Sequence, residues 1–132
     1  MKRRYVYPAI FHPETEGGYS VFFPDLTGCQ SQGDDLEDAT LMAQEALSLF
    51  LEYHIDEDRE VSAPSSPLNI KVENGDFVAL VTADIFAQKE KTNSKAIKKT
   101  LTIPSWLNEE AEKQHLNFSS VLKEALITKI QE

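Results

Sequence analysis

A short alternating segment near the C-terminus, followed by two amphipathic helices, most constrains how this chain can fold. Residues 98–104, KKTLTIP, read as a half-buried strand that a proline ends. Ser105 is expected to cap a helix over residues 106–115, and Asn117 or Ser119 to cap a second helix that reaches Ile130. One strand cannot satisfy its backbone groups or bury its apolar side alone. This part of the chain is therefore predicted to fold only as a dimer.

An antiparallel ribbon of two such strands, with four helices packed beneath it, meets both requirements. The side chains expected to form the dimer core are Leu101, Ile103, Trp106, Val121, Leu122 and Leu126. A two-stranded ribbon fits the major groove of B-DNA, and the N–H and hydroxyl groups that open the second helix suit a phosphate. The candidate DNA-binding residues are therefore Lys98, Lys99, Thr100, Thr102, Asn117, Ser119 and Ser120.

Charge is distributed unevenly along the chain. The net charge of −9 by itself argues against contact with phosphates. Residues 1–87 carry five Lys and Arg against sixteen Asp and Glu, a net of −11, whereas residues 88–132 carry eight Lys against six Glu, a net of +2. Such asymmetry indicates two parts with different partners, although chance variation in surface charge explains it equally well.

The first 87 residues are predicted to form a sheet with one long helix on one side. Segments rich in β-branched and aromatic residues, bounded by turns, predict strands at residues 4–11, 19–23, 29–32 and 77–85, with residues 68–72 as one further candidate. Asp34 or Asp35 is expected to cap a helix that reaches about Ile55 with a broad apolar face. The order β-β-β-α-β predicts an α+β domain.

A connector is predicted between the two parts. Residues 88–97, QKEKTNSKAI, are polar and basic without a sustained period, which is typical of a flexible linker. The predicted organisation is thus residues 1–87, a linker of residues 88–97, and residues 98–132. A single cysteine and the lack of a long apolar run predict a cytoplasmic protein with no membrane partner.

Two stretches resemble known families. Residues 98–126, KKTLTIPSWLNEEAEKQHLNFSSVLKEAL, resemble the ribbon-helix-helix repressors in their alternating strand, proline, helix, short turn and a helix that opens on Ser-Ser. Residues 7–47 resemble the HicB antitoxin domain, and residues 18–21, 24–29 and 32–34 match the pattern of that family closely. The two resemblances cover nearly the whole chain apart from the loop after Asp56 and the connector.

The resemblance to HicB antitoxins implies a partial ribonuclease-H-like fold that binds a small basic HicA-type toxin and blocks its RNA-cleaving surface. Members with a ribbon-helix-helix tail are expected to dimerise, bind the operator of their own operon and repress it. The resemblance does not indicate which residues contact the toxin.

Thr100 and Thr102 stand where many ribbon-helix-helix proteins have Arg, Asn or Gln. Base specificity is therefore expected to be weaker, or to depend on Lys98 and the connector.

Two other functions are open at this stage. A free-standing ribbon-helix-helix repressor with a small-molecule-sensing N-terminal domain would show an apolar pocket with a few converging polar groups. A metal-dependent hydrolase would need converging carboxylates. The candidate carboxylates are Asp25, Asp34, Asp35, Asp38 and Asp84, which are better interpreted as helix caps, dipole partners and turn residues. His12, His54 and His115 lack ligand spacing, and Cys29 has no neighbouring base, so no catalytic residue, metal or cofactor is expected.

Overall fold

The chain folds into two compact units. The computed structural model describes residues 1–131. One unit comprises residues 3–93, and the other comprises the residues from 94 onward together with residues 1–2. Within the described residues, no helix is both long and apolar enough to cross a membrane.

The larger unit is built on a four-stranded antiparallel sheet with the strand order β3-β2-β1-β4. The strands are β1 (Arg4–Pro13), β2 (Tyr19–Phe22), β3 (Gln30–Gly33) and β4 (Phe77–Asp84). Gly18 lies in the turn before β2 at a φ of 81°, and an added Cβ would lie 2.5 Å from the carbonyl oxygen of Gly33. Only glycine fits this close approach of the turn to the backbone of β3, because glycine has no Cβ and tolerates a positive φ.

One long helix, α1 (Leu36–Asp56), covers one face of the sheet. Its N-terminus is closed by two hydrogen bonds to carboxylates. The backbone N–H of Asp38 donates to the Asp35 carboxylate, and the N–H of Asp34 donates to the Asp38 carboxylate, both at 2.8 Å. Asp35 rather than Asp34 is therefore the cap, and the predicted order β-β-β-α-β is confirmed.

The core lies between α1 and the sheet. In a strand, alternate side chains point to opposite faces, and residues paired across strands share a face. The strand residues that face α1 are Tyr7, Ala9, Phe11, Val21, Val81 and Ala83, all buried. From α1 they meet Ala39, Ala43, Leu47 and Leu51, which recur every four residues and are fully buried.

The further strand considered for residues 68–72 does not form. Pro67–Asn69 is a single 3₁₀ turn, and the Leu68 side chain is 93% exposed. Proline cannot donate to a β-ladder, and the Ser66 hydroxyl instead accepts the N–H of Leu68 at 3.3 Å. This segment is therefore a surface loop, and the sheet has four strands within the described residues.

A short helix, α2 (Ile85–Thr92), occupies the start of the predicted connector. The Asp84 carboxylate ends β4 and caps α2 by accepting the N–H groups of Phe86 and Ala87. Lys89 Nζ lies 2.7 Å from the Asp56 carboxylate of α1. The predicted connector over residues 88–97 thus differs from the structure at residues 88–92, because contacts with α1 stabilise a helix that lacks an apolar period.

The C-terminal unit contains two helices, α3 (Ser105–Lys113) and α4 (Phe118–Gln131). The prediction that Ser105 caps α3 is wrong, because α3 begins at Ser105 itself and its N-terminus has no side-chain cap. Asn117 caps α4 by accepting the N–H of Ser120 at 3.1 Å, so Asn117 rather than Ser119 is the cap.

Residues 94–104 have no regular secondary structure in the single chain. The predicted strand over residues 98–104 is therefore absent here, and a lone strand has no partner for its backbone groups.

Candidate functional site

The C-terminal unit exposes the apolar side chains predicted to hold a dimer together. Their exposed fractions range from 37% for Leu122 to 69% for Trp106, and the set also includes Leu101, Ile103, Val121 and Leu126. Within the described part of the chain, α3 and α4 contain no buried residue at all. So short a unit cannot be stable in water with its apolar side chains exposed. Another surface must therefore cover these side chains.

The candidate DNA-binding residues fall into two groups. Lys98, Lys99, Thr100 and Thr102 lie in the irregular segment before α3, and all four are exposed. Asn117, Ser119 and Ser120 lie at the start of α4. The Asn117 side-chain oxygen accepts the Ser120 N–H, so the groups that could donate to a phosphate here are the Asn117 amide N–H groups and the hydroxyl groups of Ser119 and Ser120.

The carboxylates considered for a metal site hold the fold of the N-terminal unit together. Asp25 accepts hydrogen bonds from the N–H and hydroxyl of Ser65, at 2.9 and 2.5 Å, rather than from its own turn. The Asp84 carboxylate accepts a hydrogen bond from Nε of Arg3 at 3.0 Å and also caps α2. Desolvation acts to raise the pKa of Asp84, but the hydrogen bond and charge of Arg3 together with the backbone N–H groups of Ala87 and Phe86 outweigh it and hold this pKa below its ordinary value. No group of three potential metal ligands occurs within residues 1–131.

Two other titratable residues are also accounted for by packing and pairing. His12 lies in β1, and its Nδ1 is 2.6 Å from the Asp76 carboxylate. This hydrogen bond raises the pKa of His12. Cys29 is only 4% exposed, and burial raises the pKa of its thiol to about 11. The thiol is therefore neutral at physiological pH and fills space in the core.

A second exposed apolar surface lies on the face of the sheet that points away from α1, and we call it the outer sheet face. It is formed by Val6, Ile10, Phe22, Val78 and Leu80 around Pro8, which is itself fully buried. Sequence reasoning did not identify this surface. The available signal was that β1 and β4 are apolar at almost every position, which is typical of strands covered on both faces.

Comparison with known proteins identifies the family. A model of the HicB-like antitoxins of bacterial toxin–antitoxin systems matches residues 7–125. Antitoxin HicB 1 of Photorhabdus laumondii is 38% identical over 58 residues, which are 44% of this chain and 37% of that protein. The matched segment thus covers less than half of that antitoxin.

Solved structures agree with this result. A toxin–antitoxin complex from Streptococcus pneumoniae contains a chain that matches with a TM-score of 0.62 and 27% identity, over 96% of this chain and 99% of that chain. The crystal structure of antitoxin HicB3 matches with a TM-score of 0.51 and 26% identity, over 96% and 98% of the two chains. Since the family model spans most of its residues, this chain belongs to the HicB-like antitoxins of bacterial toxin–antitoxin systems.

Proposed function

We propose that this antitoxin binds and neutralises a HicA-type ribonuclease toxin through residues 1–87 and, as a dimer of residues 98–132, binds operator DNA to repress its own operon. Residues 1–87 correspond in this proposal to a partial ribonuclease-H-like domain, and residues 98–132 to a ribbon-helix-helix module. The observation that carries the dimer is that none of the apolar side chains on α3 and α4 is buried in the single chain, over the residues that the structure describes.

Pairing two copies through residues 98–104 would give each strand the backbone partner that it lacks in the single chain. Leu101 and Ile103 would then turn toward the helices, because alternate residues of a strand share a face. Lys98, Thr100 and Thr102 of both copies would line the opposite surface, which meets the major groove. The excess of Lys over Glu after residue 88 supports this assignment.

The toxin is proposed as the partner of the N-terminal unit for two reasons. The similar chain from Streptococcus pneumoniae belongs to a toxin–antitoxin complex and matches nearly the full length of this chain. The net charge of −11 over residues 1–87 also suits a basic partner, because opposite charge steers association and suppresses binding to other acidic proteins.

Co-expression with the small open reading frame next to this gene tests the toxin assignment. We expect the neighbouring frame to arrest growth when it is expressed alone, and this chain to restore growth and to co-purify with its product. A neighbour that is not toxic and forms no complex would refute the antitoxin mechanism. The sensor hypothesis for the N-terminal unit would then replace it.

A further inference from the structure

The outer sheet face is a continuous apolar surface. Ile10 in the central strand pairs with Phe22 on one side and with Val78 on the other. Leu80 lies two residues beyond Val78 on the same face and pairs with Pro8, and Pro8 in turn lies between Ile10 and Val6 on β1. These side chains therefore form one apolar surface across three strands.

Part of this surface is open to solvent. Val6, Phe22 and Leu80 are exposed, and Leu80 is the most exposed of them at 57%. Ile10 and Val78 are half-buried. Single exposed apolar residues are ordinary on a protein surface, but an adjoining set on one sheet face is typical of an interaction site.

Acidic residues border one end of the outer sheet face. His12 and Ser20 are paired neighbours on this face, and they contact the carboxylates of Asp76 and Glu14 respectively. Glu73 lies in the same turn as Asp76, because the Asp76 N–H donates to the Glu73 carbonyl at 3.0 Å, and so a third acidic residue lies near this end. At the opposite end, Arg3 balances Asp84. Arg4 also lies at that opposite end, so the negative border is confined to the end near His12.

We propose that the outer sheet face is the docking surface for a basic protein partner, which on the function proposed above is the toxin. The apolar centre excludes water and supplies the binding energy, while the carboxylates near His12 attract Lys and Arg of the partner. A second copy of this chain is a poor occupant, because it would bring together two units that each carry a net charge of −11 over residues 1–87.

Two matched substitutions in the full chain test this assignment. Leu80→Glu alters the outer sheet face, and Leu41→Glu alters the far side of the unit on α1, where Leu41 is 58% exposed. The probe is the purified product of the neighbouring small frame, and its affinity is measured by calorimetric titration. We expect Leu80→Glu to weaken binding by about thirtyfold or more, as for a large apolar residue that an interface buries, and Leu41→Glu to change it by less than about twofold.

Far-ultraviolet circular dichroism and thermal unfolding would verify that both variants fold. If Leu80→Glu does not fold, Phe22→Gln is the second variant, because it shortens an exposed side chain on the same face without adding charge. A variant with Glu14→Gln and Glu73→Gln should bind more slowly and with a weaker dependence on salt.

The possible failures are distinguishable. If the wild-type chain does not bind the toxin, the proposed function fails and this assignment fails with it. If the wild-type chain binds and Leu41→Glu weakens binding more than Leu80→Glu does, the assignment alone is overturned. If Leu80→Glu leaves toxin binding intact but lowers the mass of the free protein in light scattering, the outer sheet face joins two copies of this chain and the proposal is wrong.

Discussion

Replacing Ile103 with lysine should separate the proposed dimer and abolish DNA binding together. Ile103 is 49% exposed in the single chain, so about half of its surface is still available for burial. Full burial of such a side chain stabilises by about 1.5–3 kcal/mol, so half of it contributes about 1 kcal/mol per copy and about 2 kcal/mol per dimer. A loss of about 2 kcal/mol weakens dimerisation about thirtyfold, and the charge on the introduced lysine adds to this effect.

The assay compares the Ile103→Lys and Thr102→Ala variants of the full chain. Sedimentation equilibrium measures the monomer–dimer constant, and a mobility shift with the DNA upstream of the operon measures binding. Thr102 lies on the opposite side of the proposed strand, so Thr102→Ala should weaken DNA binding and leave the dimer intact. If Ile103→Lys still dimerised and bound this DNA like the wild type, the ribbon model would be refuted.

Three further predictions concern the core, an ion pair and the basic segment. Leu47→Ala should lower the free energy of unfolding in urea by about 2–5 kcal/mol because Leu47 is fully buried, whereas Leu49→Ala, at an exposed position of the same helix, should cost under about 1 kcal/mol. Asp84 has a lowered pKa, so its pairing with Arg3 stabilises the fold above the ordinary pKa of 3.8 and is lost as the pH falls below it. The unfolding free energy of Asp84→Asn should therefore fall less than that of the wild type between pH 5 and pH 3, and an equal fall would contradict this reasoning. Lys99→Gln should weaken binding to all DNA sequences alike and reduce the slope of log affinity against log salt by about one for each phosphate that Lys99 neutralises, as measured by fluorescence anisotropy.

The α2 helix illustrates what tertiary structure adds to local signals. Residues 88–92 lack an apolar period, which is typical of a linker. In the structure they continue a helix whose first residues, Ile85 and Phe86, are buried, and Thr92 at its end donates a hydrogen bond to Glu52 of α1. These partners are more than thirty residues away in the sequence. Local periodicity therefore cannot reveal them.

The exposed apolar side chains of the C-terminal unit and the outer sheet face differ in whether the sequence predicts them. The exposed apolar side chains of α3 and α4 follow from sequence, because a strand and two amphipathic helices must bury their apolar sides against something. The outer sheet face was not foreseen. Its residues come from three strands, and only the register of the sheet makes Ile10 a neighbour of Phe22 and Val78.

The sequence by itself determined the element order of the N-terminal unit, the family, and the acidic cap region of α1, because alternation, helical period and capping are set by residues close together in the chain. Tertiary structure alone decided that Asp25 binds Ser65 and that α2 is helical, because the deciding partners lie about forty residues away in the sequence. The loop at residues 68–72 has a local cause instead, since Pro67 and the Ser66 hydroxyl next to it favour a turn over a strand.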